Sequence, residues 1–152
     1  MLNHVADVLS KTGLDPASLE LEITESVLMQ DAEATIDMLR ALKEMGIKIS
    51  VDDFGTGFSS LSYLKRFPID ILKIDKSFTR DIDMDPDNSA IVTAIAVLAR
   101  SLKLSVLAEG VESKQQLDFL REEKCDRVQG YFFSRPLNPE VLLPLMAQQR
   151  AA

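Results

Sequence analysis

Four carboxylates gather at the ends of three short strand-like runs. Glu22 lies in LELEIT (19–24), Asp52 closes IKISVD (47–52) with Asp53 directly after it, and Glu109 closes LSVLAE (104–109). Lys73 and Asp75 end ILKID (71–75), and Gln129 sits in RVQGY (127–131). Acids sharing a pocket without positive charge repel one another, so some must hold protons or a cation must sit among them. The single histidine, His4, falls in the first helical stretch, away from these ends, so nitrogen ligands are absent. Cys125 is the only cysteine, which excludes a thiolate metal site and an intrachain disulfide. An all-oxygen set selects hard ions, Mg²⁺, Mn²⁺ or Ca²⁺, over zinc or copper. Two such ions about 3.5–4 Å apart can activate a water and stabilise the leaving oxygen of a phosphodiester. In the same place Lys73 would offset phosphate charge or orient the attacking water, and Gln129 would offer its amide to a water or a ligand.

Each signal has an ordinary structural counterpart. Asp52-Asp53 before Phe54-Gly55 also fits a strand ending in an Asx turn. Glu25 also suits a carboxylate at a helix start, and Lys73 with Asp75 an ion pair on one strand. Gly55 and Gly57 are as much a turn as a phosphate cradle. The functional reading rests on coincidence: every run ends in a polar group on the same face.

That face follows from strand geometry, in which residues two apart share a side. Leu19, Leu21 and Ile23 oppose Glu20, Glu22 and Thr24; Ile47, Ile49 and Val51 oppose Lys48, Ser50 and Asp52. Leu72 and Ile74 oppose Ile71, Lys73 and Asp75, and Leu104, Val106 and Ala108 oppose Ser105, Leu107 and Glu109. Helical apolar spacing predicts helices at about 2–12, 31–45, 58–66, 88–102, 113–123 and 138–148, with Asp31 and Ser113 as N-caps and Gly13 and Gly46 as stops. Strands alternating with helices imply a parallel sheet. A doubly wound sheet buries both faces and would not tolerate so many charges on one. A (β/α) barrel does, because its inner face opens at the strands' C-terminal ends into a loop-built mouth. The expected fold is therefore α/β, a TIM-type barrel wall, with about five strands where a closed barrel needs eight.

The chain has 152 residues and a formal charge of −7, so it lacks the basic footprint of a protein that binds a nucleic acid polymer. The apolar run from Ile91 to Ala99, broken by Thr93, is far short of the roughly 20 residues of a membrane span. The start, MLNHVADVLSK, has no basic segment followed by a long apolar one, so a signal peptide is not expected and a cytoplasmic location is.

The motifs LEITES from Leu21, DDFGTGFSSLSYL from Asp52, LKIDKSF from Leu72, AEGVES from Ala108 and QGYFFSRP from Gln129 together resemble, in order, those of the EAL family of cyclic-di-GMP-specific phosphodiesterase domains of bacterial signalling. The likeness runs from about residue 2 to residue 144. It implies Glu22, Asp52 and Glu109 as ligands of Mg²⁺ or Mn²⁺, with Asp53 at a second metal and its water. It further implies Lys73 and Gln129 at the nucleophilic water, with Asp75 beside Lys73. Glu25 would hold the loop Phe54 to Ser60, and Glu112 would be a supporting acid. The implied reaction is hydrolysis of one phosphodiester bond of cyclic-di-GMP to the linear dinucleotide. Upstream sensor or diguanylate-cyclase-like domains are implied in a longer parent.

The chain departs from the family pattern in two ways. No Glu-Ala-Leu tripeptide occurs, and the asparagine ligand expected before the first helix is absent, Asn3 lying too late. The expectation is thus one truncated EAL domain over 1–152, lacking N-terminal strands and impaired in catalysis. Its two open sheet edges favour a homo-oligomer, an element-exchanged dimer or pairing with an N-terminal fragment. The alternative is a non-catalytic module that binds cyclic-di-GMP or a protein. A metal-dependent barrel of the enolase type also uses strand-end acids and a lysine, but it lacks DDFGTG and QGY.

Overall fold

The computed structural model describes residues 1–28, 31–57 and 61–150. Helix α1 (Leu2–Thr12) comes first, and Gly13 ends it in a left-handed conformation, φ 67°. It is followed by β1 (Glu20–Thr24), a single turn α2 (Glu25–Leu28) and α3 (Ala32–Glu44). Then come β2 (Lys48–Phe54), α4 (Leu61–Leu64), β3 (Ile71–Ile74) and α5 (Lys76–Arg80). The rest is α6 (Pro86–Leu102), β4 (Ser105–Ala108), α7 (Lys114–Glu122), β5 (Arg127–Val128) and α8 (Pro139–Arg150).

Local chemistry explains most boundaries. Asp31 accepts from the Ala34 amide and starts α3; Asp85 accepts from the Asp87 amide ahead of Pro86, whose fixed φ suits a first helical position. Ser113 and Gln116 form a reciprocal capping box at α7. Two aspartates just before strands tie strand starts together. Asp70 accepts from the Ile49 amide at 2.8 Å and pairs with Lys43, and Asp126 accepts from the Val106 amide at 2.7 Å.

The five strands are all parallel and lie in chain order, β1-β2-β3-β4-β5. A doubly wound sheet reverses its order at a switch point; this sheet does not. Ile49, Val51, Leu72, Ile74, Val106 and Ala108 form the buried outer face. Against it pack Ile36, Leu39 and Leu42 of α3, Val92, Ile95 and Ala99 of α6, and Leu117 and Leu120 of α7. Burial of each large side chain is worth about 1.5–3 kcal/mol before chain entropy is counted.

The opposite face is buried as well at its centre, with Ser50, Ile71 and Lys73 all out of solvent. The sheet achieves this by curling. Arg127 of β5 reaches Glu20 of β1, with Nη1 3.4 Å from Oε2, so the two edge strands meet through side chains although neither pairs with the other. A flat five-stranded sheet would hold its edges about 19 Å apart at ~4.8 Å per strand. The barrel-type curvature expected from the pattern is therefore present in the sheet.

Several elements differ from expectation, among them the single turn α2, which lies outside the expected helix ranges. β2 runs on to Phe54 because of a bulge described below. β5 is two residues long rather than five, since beyond Val128 the chain turns in to meet the Val111 backbone. Of the helix expected over 58–66, residues 61–64 are helical; residues 58–60 lie outside the described residues, as does the last part of the loop assigned to Glu25. The short helix α5 was not anticipated, being a single turn started by the Asp75 side chain, which accepts from the Ser77 amide. Among the described residues, no helix is long and apolar enough to cross a membrane.

Candidate active site

The sheet brings Glu22, Asp52, Lys73 and Glu109 together at the C-terminal ends of β1 to β4. Lys73, on the middle strand, is 4% exposed, and its Nζ lies 2.8 Å from Glu22 Oε2, 3.0 Å from Asp52 Oδ1 and 2.7 Å from Glu109 Oε1. One ammonium thus faces carboxylates from three different strands. Asp75 does not join them; it caps α5 instead, so the ion pair considered for Lys73 and Asp75 is replaced by these three. Burial alone would push the lysine toward neutrality, but Glu109, Glu22 and Asp52 outweigh it and hold the ammonium charged, well above the ordinary lysine range.

Two consecutive aspartates serve one site because β2 is bulged. Register runs Ser50 to Ile71 and Val51 to Leu72, then resumes at Phe54 to Ile74, which sets Asp52 and Asp53 together opposite the one residue Lys73. Asp53 takes the extra position with φ 55°, a left-handed conformation that aspartate accepts more readily than most residues. Its carboxyl titrates above the usual aspartate range, first through loss of water and then through repulsion from Asp52 and Asp75. At Asp75 burial acts in the same upward direction. Hydrogen bonds from the Ser77 hydroxyl and amide and from the Lys76 amide override it and bring the carboxyl below its ordinary value.

Around this centre stand the supporting groups. Glu25 is buried, and its Oε2 accepts from the Gly55 amide at 3.0 Å, which ties α2 to the turn after the two aspartates. Gly57 is glycine for room, because a Cβ there would stand 2.8 Å from Glu25 Oε1. Gln129 donates through Nε2 to Glu109 Oε1 at 2.9 Å. Glu112 points to an adjoining cleft, and the loop that carries it is held by Gln116. The Gln116 Oε1 accepts from the Glu112 and Ser113 amides, and its Nε2 donates to the Arg80 carbonyl. Gln116 was missed as a site support, although the S-x-x-Q spacing of a capping box marks it in the sequence.

The cleft beside Glu109 and Gln129 has a volume of about 670 Å³ and is walled also by Lys76, Glu112, Tyr131, Arg135 and Leu142. The Arg135 guanidinium lies 4.8 Å over the Tyr131 ring. Two cations, a ring and apolar side chains were not singled out from the sequence, since nothing in their spacing marks them before the β5 loop folds back.

The donor chemistry fits hard divalent ions. Every candidate ligand is a carboxylate oxygen, and three negative charges against the single Lys73 leave two uncompensated before Asp53 is counted. Asp52 Oδ1 is buried and, although near Nζ, is not aligned for a hydrogen bond with any partner. Among the described residues no three acids stand in ligand geometry for a metal ion; Glu22, Asp52 and Glu109 instead each lie within 3.0 Å of Lys73 Nζ.

A curled parallel sheet with acids, a lysine and an amide at its C-terminal mouth is the wall of a (β/α) barrel. The chain matches the EAL domain over residues 1–136 and belongs to that family. It is 50% identical over 137 residues to cyclic di-GMP phosphodiesterase NbdA of Pseudomonas aeruginosa, covering 90% of this chain and 18% of that protein. The structure of the PaMucR phosphodiesterase in complex with c-di-GMP superposes with a TM-score of 0.90 at 46% identity, covering 93% of this chain and 57% of that one. The Klebsiella pneumoniae BlrP1 manganese and cyclic-di-GMP complex gives 0.81 at 35% identity, covering 89% and 34%. The chain thus spans about a fifth of the first of these relatives.

Proposed function

We propose that this chain is the C-terminal part of a cyclic-di-GMP phosphodiesterase domain, with residues 1–152 forming one unit of an EAL barrel. The observation that carries this reading is the convergence of Glu22, Asp52 and Glu109, from three strands, on one cationic centre. The likeness to cyclic di-GMP phosphodiesterase NbdA, to the PaMucR phosphodiesterase complex with c-di-GMP and to the BlrP1 manganese complex supports it.

In this reading Glu22, Asp52, Asp53 and Glu109 hold Mg²⁺ or Mn²⁺. Bound divalent ions would supply Lewis-acid stabilisation of developing charge and a more acidic water. The residues themselves do the rest. Gln129 fixes Glu109 by its amide, and Lys73 offsets charge at the scissile phosphate. Asp53, at the bulge beside Asp52, is exposed. Glu25 keeps the Gly55 turn in place beneath it. Lys76 and Arg135 give the cleft positive charge for a dinucleotide's phosphates, and Tyr131 offers a ring for a base; a volume of about 670 Å³ lies within the ~300–1,000 Å³ of small-ligand sites.

The signature glutamate and the asparagine ligand are not among these residues, so turnover by this chain alone is impaired. Free edges on β1 and β5, together with exposed Tyr131, Phe132, Phe133, Val141, Leu142 and Leu143, favour association with a second copy or with a polypeptide that supplies the remaining strands. The setting is a cytoplasmic signalling protein with further domains.

The test is incubation of the chain with cyclic-di-GMP and Mg²⁺ or Mn²⁺, alone and with an N-terminal EAL fragment, following the linear product by chromatography. Turnover lost in Asp52→Asn and Glu109→Gln supports the enzyme. Tight nucleotide binding without turnover under either condition leaves the non-catalytic module.

A further inference from the structure

Three carboxylates packed round one buried nitrogen pose a folding problem that the chain must solve before any ion arrives. Glu22 and Asp52 lie on β1 and β2 and Glu109 directly follows β4; outer-face packing of these strands sets the three carboxylates close together, with Glu22 half exposed and the other two mostly buried. Unscreened, they would repel through partly dry surroundings. Lys73 stands on the strand between β2 and β4, with its stem buried, and its ammonium is within 3.0 Å of all three. Lys76, the other lysine near the mouth, is exposed and lines the adjoining cleft, and no ion pair joins it to these acids.

We propose that Lys73 is the internal counter-ion of the site. In the metal-free chain its ammonium fills the cation position among Glu22, Asp52 and Glu109 and keeps the mouth assembled, and an incoming divalent ion competes with it for those oxygens. The inference rests on the reading that these carboxylates bind divalent ions, and it assigns Lys73 a positioning role apart from any part in hydrolysis. It explains why the acids converge yet leave no open cage: the cage is closed on a side chain. It also implies that metal affinity is restrained by a charge the protein carries itself.

The experiment is thermal unfolding of the full chain in EDTA and in excess Mn²⁺, for the wild type, Lys73→Met, Lys73→Arg and, as a control at a partly buried pair away from the mouth, Lys43→Met. Lys73→Met is expected to melt lower in EDTA and to gain more from Mn²⁺ than the wild type does, by roughly 3 °C or more. Calorimetry should show Mn²⁺ bound about tenfold more tightly by Lys73→Met, a difference of ~1.4 kcal/mol. Lys43→Met and Lys73→Arg should keep the wild-type gain. A Mn²⁺ gain in Lys73→Met equal to or below that of the wild type overturns the proposal. Should Lys73→Met not fold, the Lys73 ammonium signal of the wild type is followed by NMR as Mg²⁺ is added; a saturable shift supports competition, and a signal unchanged at saturating Mg²⁺ refutes it. A wild type that binds neither Mn²⁺ nor Mg²⁺ defeats the metal reading of the site and the competition together. Binding without the Lys73 effect defeats only the latter.

Discussion

Gly130→Ala is the most demanding test of how the mouth is built. A Cβ at residue 130 would stand 2.1 Å from the Val111 carbonyl oxygen and 2.2 Å from the Val111 nitrogen. These are backbone atoms, so no side chain can swing aside, and the two segments must separate by about 1.3 Å to reach ordinary contact at 3.4 Å. The contact is flanked by two hydrogen bonds, Val111 N–H to the Gln129 carbonyl at 3.1 Å and Phe132 N–H to the Val111 carbonyl at 2.9 Å. Breaking both costs roughly 1–3 kcal/mol, and relieving the overlap adds about 1–3 kcal/mol. The total of about 2–6 kcal/mol is a large part of a typical domain's ~5–15 kcal/mol. For a chain this long it corresponds to a fall in melting temperature of roughly 4–24 °C. Gln129 is the neighbouring residue, so the same separation should pull its amide from Glu109 and weaken Mn²⁺ binding. Scanning calorimetry measures the first effect and titration calorimetry the second. A variant that melts within ~2 °C of the wild type would show that the backbone crossing is not held as described.

Glu25→Ala removes a carboxylate acceptor from the Gly55 amide; a loss of about 1.5–3 kcal/mol is expected, and hydrogen exchange at Gly55 should become fast. Asp52→Asn keeps the shape of the site but removes a charge, so Mn²⁺ affinity should fall by about tenfold or more. Arg127→Ala should change stability by no more than ~1 kcal/mol, since the pair with Glu20 is partly solvated, and chemical denaturation decides it. Cys125 titrates at about 11, raised first by burial and then by Asp126 and Glu123. Its alkylation by iodoacetamide at pH 8 should therefore be slow. Because the folded thiol ionises later than the unfolded one, its contribution to stability is complete below an ordinary thiol's pKa and is lost as pH rises through about 11.

Much of the wall was legible because a parallel strand writes its pleat into sequence. Leu72 and Ile74 against Lys73, or Ile49 and Val51 against Ser50, state both the face and the direction of the mouth. Caps at Asp31 and Ser113 were equally local and equally visible. The register shift at Asp52 and Asp53 was not, since two polar residues after Val51 look the same whether a strand ends or bulges; only pairing with Lys73 separates the cases. The destination of the Lys73 ammonium was hidden for a related reason. The nearest acid in sequence is Asp75, but the partners are Glu22, Asp52 and Glu109, 51, 21 and 36 positions away, and closeness of that kind belongs to the sheet. The folding-in of the β5 loop, which builds the cleft, is a backbone contact between Gly130 and Val111 that no periodicity encodes.

The bulge in β2 makes one aspartate supernumerary to the pleat. Val51 and Phe54 both lie on the core side, and between them stand two residues where regular alternation has room for one. Excising Asp53 would let Phe54 follow Asp52 with no change of side, so the hydrophobic wall would close up unaltered while the mouth lost a charge. The extra residue in this strand thus alters the charge of the rim and leaves the core face as it is.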